Sequence, residues 1–242
     1  MEELVRDPVS SPDSARVPDS VRVQILATEH WGHLSTRSML WNETFSRAGV
    51  LLTTLSAAVV AIALVAQASD FGSEFRLFAV LVLPVVLFLG IATHLRMIQT
   101  MELEGWTVIG MNRLRHAYLE VAPDLEPYFV TSHYDDFPGL HQSFGPYTGF
   151  RPALAISSTA TIVSVINAMV AGVLVALLID LAVDRQGIAT TVGVLVGLAV
   201  AVYIGGVVPY RFIRQSQQQY VPKFPHPPDE PGAAWAETGG GQ

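Results

Sequence analysis

The stretch AGVLLTTLSAAVVAIALVAQA, residues 48–68, contains neither a charged residue nor a proline. At about 1.5 Å of rise per residue, a helix of that length covers the roughly 30 Å hydrocarbon core of a bilayer. Residues 48–68 therefore predict a membrane span. Three more apolar runs of comparable length follow, at 77–95, 153–181 and 188–208, interrupted only by Pro84 in the first and Asp180 near the end of the second. The turn at 69–76 and the one carrying Asp184, Arg185 and Gly187 are both short, so each pair of runs closes into a helical hairpin. Half of the chain is apolar and only 14% is charged, which is a membrane composition. The expected fold is all-α, an integral membrane protein with four transmembrane helices in two hairpins plus cytoplasmic helical extensions.

Outward from these hairpins the chain divides into six parts. Residues 1–19 carry Pro8, Pro12 and Pro18 among Ser, Asp and Arg and predict a disordered tail. No signal peptide is expected, because the first long apolar run begins only near Ala48. Residues 20–47 predict an amphipathic cytoplasmic helix capped by Asp19 or Ser20. Leu26, Leu34, Trp41 and Phe45 share one face of it, His30 and Arg37 fill the same stripe, and Gly32 offers a bend. Trp31 and Trp41 are placed to anchor that helix at the headgroup level. The first hairpin occupies 48–95 and the second 153–208. The intervening segment, 96–152, splits at Pro123 into a helix continuing the second span and an aromatic loop. That loop contains Tyr128, Phe129, Tyr134, Phe137, Phe144, Tyr147 and Phe150, too many aromatic residues for a disordered linker. Residues 209–242 predict a mostly disordered cytoplasmic tail, because they are rich in Pro and Gly beyond Tyr220.

Small residues recur at four-residue spacing in three spans, which allows helices to approach closely. They are Gly49, Thr53, Ala57 and Ala61 in the first, Ala160, Ser164, Ala168 and Gly172 in the third, and Gly193, Gly197, Ala201 and Gly205 in the fourth. The last two faces either pack on each other or form a contact between copies of the chain. Pro84, mid-way along the second span, removes one backbone hydrogen bond and predicts a kink, read as a gating hinge or as a packing feature. Asn167 is the most polar residue deep in a span, near Ser157, Thr161 and Ser164. It is read either as a polar lining or as an interhelical hydrogen bond. Arginines cluster near the outer ends of the spans, whereas the short turns hold only Arg76 and Arg185. The positive-inside rule then puts both termini and the middle segment in the cytoplasm.

The net charge of −7 argues against nucleic acid as a partner, and the absence of Cys excludes disulfides and thiolate metal sites. No Gly-rich phosphate loop or dinucleotide fingerprint is present, and no cofactor is implied. Two sets of residues remain as candidate sites. Asn112, Arg113, Arg115, His116 and Tyr118 form a dense hydrogen-bonding stretch, in which the arginines could receive a phosphate or an anionic lipid, or pair with Glu120 and Glu43. His133, Asp135, Asp136 and His141 offer nitrogen and oxygen ligands to a divalent metal if the turn at Pro138 and Gly139 gathers them.

The run Trp41, Asn42, Glu43, Thr44, Phe45, Ser46, Arg47 before one span, with Asn112, Arg113, Leu114, Arg115, His116, Ala117, Tyr118 after the next, resembles a group of uncharacterised bacterial multi-span membrane proteins. That resemblance implies the bacterial cytoplasmic membrane and no particular activity. In layout, a cytoplasmic helix, a tight two-span hairpin and a returning helix are also similar to SLATT-type membrane effectors linked to nucleotide second-messenger defence, although a second hairpin departs from that pattern. The expected function is a non-enzymatic membrane sensor, effector or scaffold. Its expected partners are the lipid bilayer and either further copies of the chain, as a homo-oligomer, or another membrane protein. A metal-dependent membrane hydrolase built on residues 133–141 is the alternative, and a small transporter or channel the third reading.

Overall fold

The computed structural model describes residues 17–144, 158–183 and 185–227, and every regular element among them is helical. Two long helices come first, α1 (Asp19–Ala68) and α2 (Ser73–Val121). A 3-10 turn (Pro123–Tyr128), an extended stretch and the short α3 (Phe137–Phe144) follow. The second hairpin is α4 (Thr159–Val183) and α5 (Gln186–Val202), and α5 passes through a π turn (Tyr203–Val207) into α6 (Val208–Gln219). Four helical stretches, the last being Gln186–Gln219 taken as a whole, are long and apolar enough to cross a membrane. Only 6% to 39% of each apolar window is buried within the chain. The outward side chains include Phe88, Leu64 and Met169, each more than 60% exposed. Helices apolar on nearly every face yet packed on only one are solvated by lipid, since water would not tolerate so large a patch.

α1 and α2 are single helices of 50 and 49 residues, so the helical extensions expected from the sequence are direct continuations of the spans. Beyond the apolar core each extension adds about 40 Å of helix at 1.5 Å per residue. Gly32 produces no break, and α2 remains helical through Pro84, which lies on the exposed side between buried Leu83 and Val86. The start of α1 has Pro18 in the capping position and no side-chain cap, in place of the Asp19 or Ser20 cap expected. Asp19 instead lies in the first turn, where a carboxylate suits the helix dipole. At the hairpin tip Asp70 and Phe71 adopt left-handed backbone, and the Phe71 N–H closes the turn on the Ala66 carbonyl at 2.9 Å.

Within the bilayer region Ala58 of α1, Ala79, Leu83 and Val86 of α2 and Val170 of α4 form one buried cluster, and Ala48, Leu51, Met97 and Val163 form a second. Outside it the α1–α2 seam is polar. On α1 the inward positions 26, 30, 33, 37, 40 and 44 alternate by four and three residues, the spacing of a coiled-coil seam. The pairs across it are Arg22 with Glu120, Arg37 with Glu104 at 2.9 Å, and Arg96 with Glu43 at 2.8 Å, while the Trp41 indole donates to Glu104 at 3.0 Å. Glu120 and Glu43 therefore serve Arg22 and Arg96, not Arg113 and Arg115. Trp41 remains near the membrane, but Trp31 is seventeen positions before Ala48 and so roughly 25 Å along the helix from the span. A headgroup role for Trp31 does not survive that distance.

The faces of small residues behave differently in the two hairpins. α4 and α5 meet through theirs: a Cβ on Gly193 would lie 2.6 Å from the Gly172 carbonyl oxygen, and one on Gly197 would lie 3.0 Å from that of Ala168. Gly205 meets Ser164 in the same way, with 2.7 Å to its Oγ. In α1 the corresponding residues Gly49, Thr53 and Ala57 are exposed, and the Thr53 hydroxyl bonds its own helix at the Gly49 carbonyl (2.8 Å). The first hairpin packs instead on Ala48, Leu51 and Ala58.

Candidate functional site

Beyond the spans, the extended stretch 132–136 is held on one side by α2 and on the other by the chain following α6. Asn112 is fully buried; its amide donates to the Tyr134 carbonyl at 2.8 Å. Its oxygen accepts from Arg115 at 2.7 Å and from the Ser143 hydroxyl at 2.8 Å. One turn of α2 thus fixes both the extended stretch and α3. Asp136 caps α3, accepting the Gly139 N–H at 2.9 Å, and it also receives the backbone N–H of His226 at 2.8 Å, with the His226 ring 2.8 Å away. Gly139 is required at its position, because a Cβ there would lie 2.3 Å from the Tyr134 carbonyl oxygen.

Asp135 is the centre of this region and has no solvent exposure. One carboxylate oxygen accepts from Arg113 Nε at 2.7 Å, the Tyr220 hydroxyl at 2.8 Å and the Lys223 N–H at 3.0 Å. The other accepts the Phe224 N–H at 2.8 Å, and the Asp135 N–H returns to the Phe224 carbonyl at 3.1 Å. Burial pushes the carboxyl up, but the Lys223 and Phe224 N–H groups, Arg113 and Tyr220 together outweigh it and hold Asp135 below the usual carboxylate value. Burial, then the hydrogen bond to Asp135, pushes the Tyr220 phenol up to about 12, so it stays a donor. Rings complete the seal: His116 stacks on Phe224 at 4.1 Å, Tyr134 lies 4.0 Å from His226, and Trp106 meets Tyr220 edge-on at 5.1 Å.

The set Asn112, Arg113, Arg115, His116 and Tyr118 therefore splits. The first four face the 132–136 stretch or the segment bound to it, while Tyr118 faces α1, with its ring 6.1 Å from that of His30. Arg115 is distinctive because its hydrogen bonds go to neutral acceptors, the Asn112 amide and the Ser132 carbonyl. Burial and then the charge of Arg37 pull its pKa below the ordinary guanidinium value. Burial, followed by Arg115 and His33, likewise lowers His30, and the Nδ1 atoms of His30 and His116 are buried without a hydrogen-bond partner among the described residues.

The set His133, Asp135, Asp136 and His141 is not gathered around a common point. The two carboxylates are committed to the partners just described, His133 lies between the rings of His116 and Tyr134, and His141 is exposed on α3. No three His, Asp or Glu side chains converge as metal ligands among the described residues. The disorder expected of 209–242 does not hold as far as Pro227: Val208–Gln219 is helical, and Tyr220, Lys223, Phe224 and His226 supply most of the hydrogen bonds that clasp Asp135 and Asp136. Two aromatic residues and a histidine within an otherwise Pro-rich run were the sequence signal for that docking. Residues 1–16, 145–157, 184 and 228–242, including Tyr147, Phe150, Ser157 and Asp184, lie outside the described residues.

Within the spans a polar layer links α2, α4 and the end of α5. Asn167 is 1% exposed, its oxygen lies against Gly90 so closely that a Cβ there would be 1.8 Å away, and its NH2 group has no hydrogen-bond partner. The interhelical hydrogen bond expected of Asn167 is therefore not formed among the described residues. His94, which the sequence reading did not single out, is equally buried, with Nδ1 3.2 Å from the Ala160 carbonyl oxygen and Nε2 3.0 Å from that of Ile204. The π turn explains the second contact. Val208 N–H bonds back to Tyr203, and Pro209, which has no N–H, cannot serve Ile204, so that carbonyl is left for the imidazole. Comparison of the chain with protein-family models, with curated proteins and with solved structures finds no match.

Proposed function

We propose that this chain is a non-enzymatic, homo-oligomeric protein of the bacterial cytoplasmic membrane, with both termini in the cytoplasm, that passes a binding event at its cytoplasmic end to its spans. The observation that carries this reading is the Asp135 clasp. Through one buried carboxylate, α2, which continues the second span, is joined to the segment following the fourth. A ligand that shifts residues 112–116 displaces the end of the last span with them. Arg115, buried against neutral acceptors, favours an anionic ligand, because an anion would restore the charge balance that α1 and α2 maintain elsewhere with Glu43, Glu104 and Glu120. The basic residues at this end, against Arg76 and Arg185 at the other, support the orientation. A metal-dependent hydrolase draws no support from carboxylates already saturated by Arg113, Tyr220, His226 and backbone N–H groups.

The test combines light scattering in mild detergent with dye release from liposomes, for the unmodified chain, Pro84→Ala and Asp135→Asn. The expected result is an oligomer whose permeability changes in at least one variant. A strict monomer with identical release in all three would end the effector reading.

A further inference from the structure

On the outer face of the last long helix an open groove of about 630 Å3 runs from the π turn into α6. Its apolar part is Val202, Gly206 and Val207, and its polar part, one to two turns further on, is Tyr210, Arg211 and Arg214. Gly206 leaves the floor bare, since a Cβ there would meet nothing within 4 Å. Among the described residues, these two arginines share only with Arg185, at the opposite end of the spans, the lack of an ion pair or polar side-chain partner. Arg22, Arg37, Arg47, Arg76, Arg96 and Arg113 each face a carboxylate, and Arg115 is hydrogen-bonded to an amide and a carbonyl. Arg211 and Arg214 are exposed and have no ion pair among the described residues. They are three positions apart, so both guanidinium groups reach the same side of α6.

We infer that this groove binds an anionic phospholipid, one acyl chain lying along Val202, Gly206 and Val207 and the phosphate held between Arg211 and Arg214 beside the Tyr210 hydroxyl. The order of the groups along the helix matches the order in a lipid at the membrane boundary. The apolar wall belongs to the span, and the basic pair lies roughly 6 to 12 Å beyond Val207, at the depth of the headgroups. Two guanidinium groups without an ion pair among the described residues provide the charge complement, and their forked N–H donors suit phosphate oxygens. The inference needs only the four spans and is independent of any ligand bound near Arg115.

The test is native mass spectrometry of the full chain in detergent with equimolar phosphatidylglycerol and phosphatidylcholine, repeated for Arg211→Ala/Arg214→Ala and for Gly206→Leu. The unmodified chain should retain phosphatidylglycerol preferentially. The double variant should bind it roughly 30-fold more weakly, the loss expected of two basic contacts near a lipid headgroup. Gly206→Leu should also weaken it, with both arginines intact, by filling the groove floor. Unchanged helix content by circular dichroism excludes misfolding as the cause. Millimolar inorganic phosphate should fail to displace the lipid, and displacement would show a small-anion site and overturn the inference. Undiminished phosphatidylglycerol retention by the double variant would overturn it as well, as would a change of oligomeric state with lipid retention intact, which would make this face an interface between copies.

Discussion

Replacing Asp135 with Asn should open the clasp between α2 and the chain after α6 while leaving the spans intact. The carboxylate accepts four hydrogen bonds and donates none, three at one oxygen and one at the other. Asn has a single acceptor. In its better orientation the amide oxygen keeps Arg113, Tyr220 and Lys223, and the NH2 group is then set against the Phe224 N–H, donor facing donor. Arg113 meanwhile loses its counter-charge. A hydrogen bond to a charged group contributes about 1.5–3 kcal/mol, and breaking a buried pair costs about 3–5 kcal/mol. Because the Arg113 side chain is 33% exposed, the lower end applies, about 3 kcal/mol, or roughly a hundredfold in the closing equilibrium. Hydrogen exchange reads this directly: the amides of Lys223, Phe224 and His226 should exchange roughly a hundredfold faster, with protection in α4 and α5 unchanged. Protection at Phe224 within threefold of the unmodified chain would refute the reasoning, as would uniform loss across all helices. The pH dependence has a fixed sign. A carboxyl depressed in the folded state stabilises above its unfolded pKa and loses that contribution as pH falls through the folded value. Protection at Phe224 should therefore persist from neutral pH down past the ordinary Asp value of 3.8 before it fails.

Gly90→Ala drives a methyl group into the Asn167 amide, and stability in detergent, measured by chemical denaturation, should fall by about 1–3 kcal/mol. Adding Asn167→Ala should recover most of that loss, whereas additive losses would show that the two residues do not touch. His94→Phe removes the ring whose N–H serves the Ala160 or the Ile204 carbonyl, so a loss of about 1–3 kcal/mol is expected, and faster exchange at Val207 and Val208 would mark Ile204 as the carbonyl it serves. Glu43 is held down to about 2 by hydrogen bonds from Arg96 and then Arg47. Its contribution is complete above the ordinary value of 4.5 and disappears as pH falls toward 2. Over that window the melting temperature of the unmodified chain should fall more steeply than that of Glu43→Gln, and parallel curves would remove Glu43 from the α1–α2 seam.

The four spans, the two hairpins and the helix running on from the second span to Pro123 were all legible in residues 48–68, 77–121 and 153–208. Hydropathy and the missing N–H of proline are properties of local sequence, and they act whatever the rest of the chain does. The four-residue spacing of Gly193, Gly197 and Gly205 was legible for the same reason. Which face covers it was not, because Gly49, Thr53 and Ala57 have the same spacing and lie exposed. Asn112, Arg113, Arg115 and His116 were visible as a dense polar turn. Their partners were not, because the hydrogen bonds linking residues 113, 135 and 224 depend on where the fold brings a helix, the loop before α3 and the chain after α6 together. Only the tertiary structure turned Asp135 and Asp136 from apparent metal ligands into a clasp and a helix cap. It also decided the role of His94: Pro209 removes one donor from a π turn, and the carbonyl left over faces an imidazole more than a hundred residues earlier in the chain.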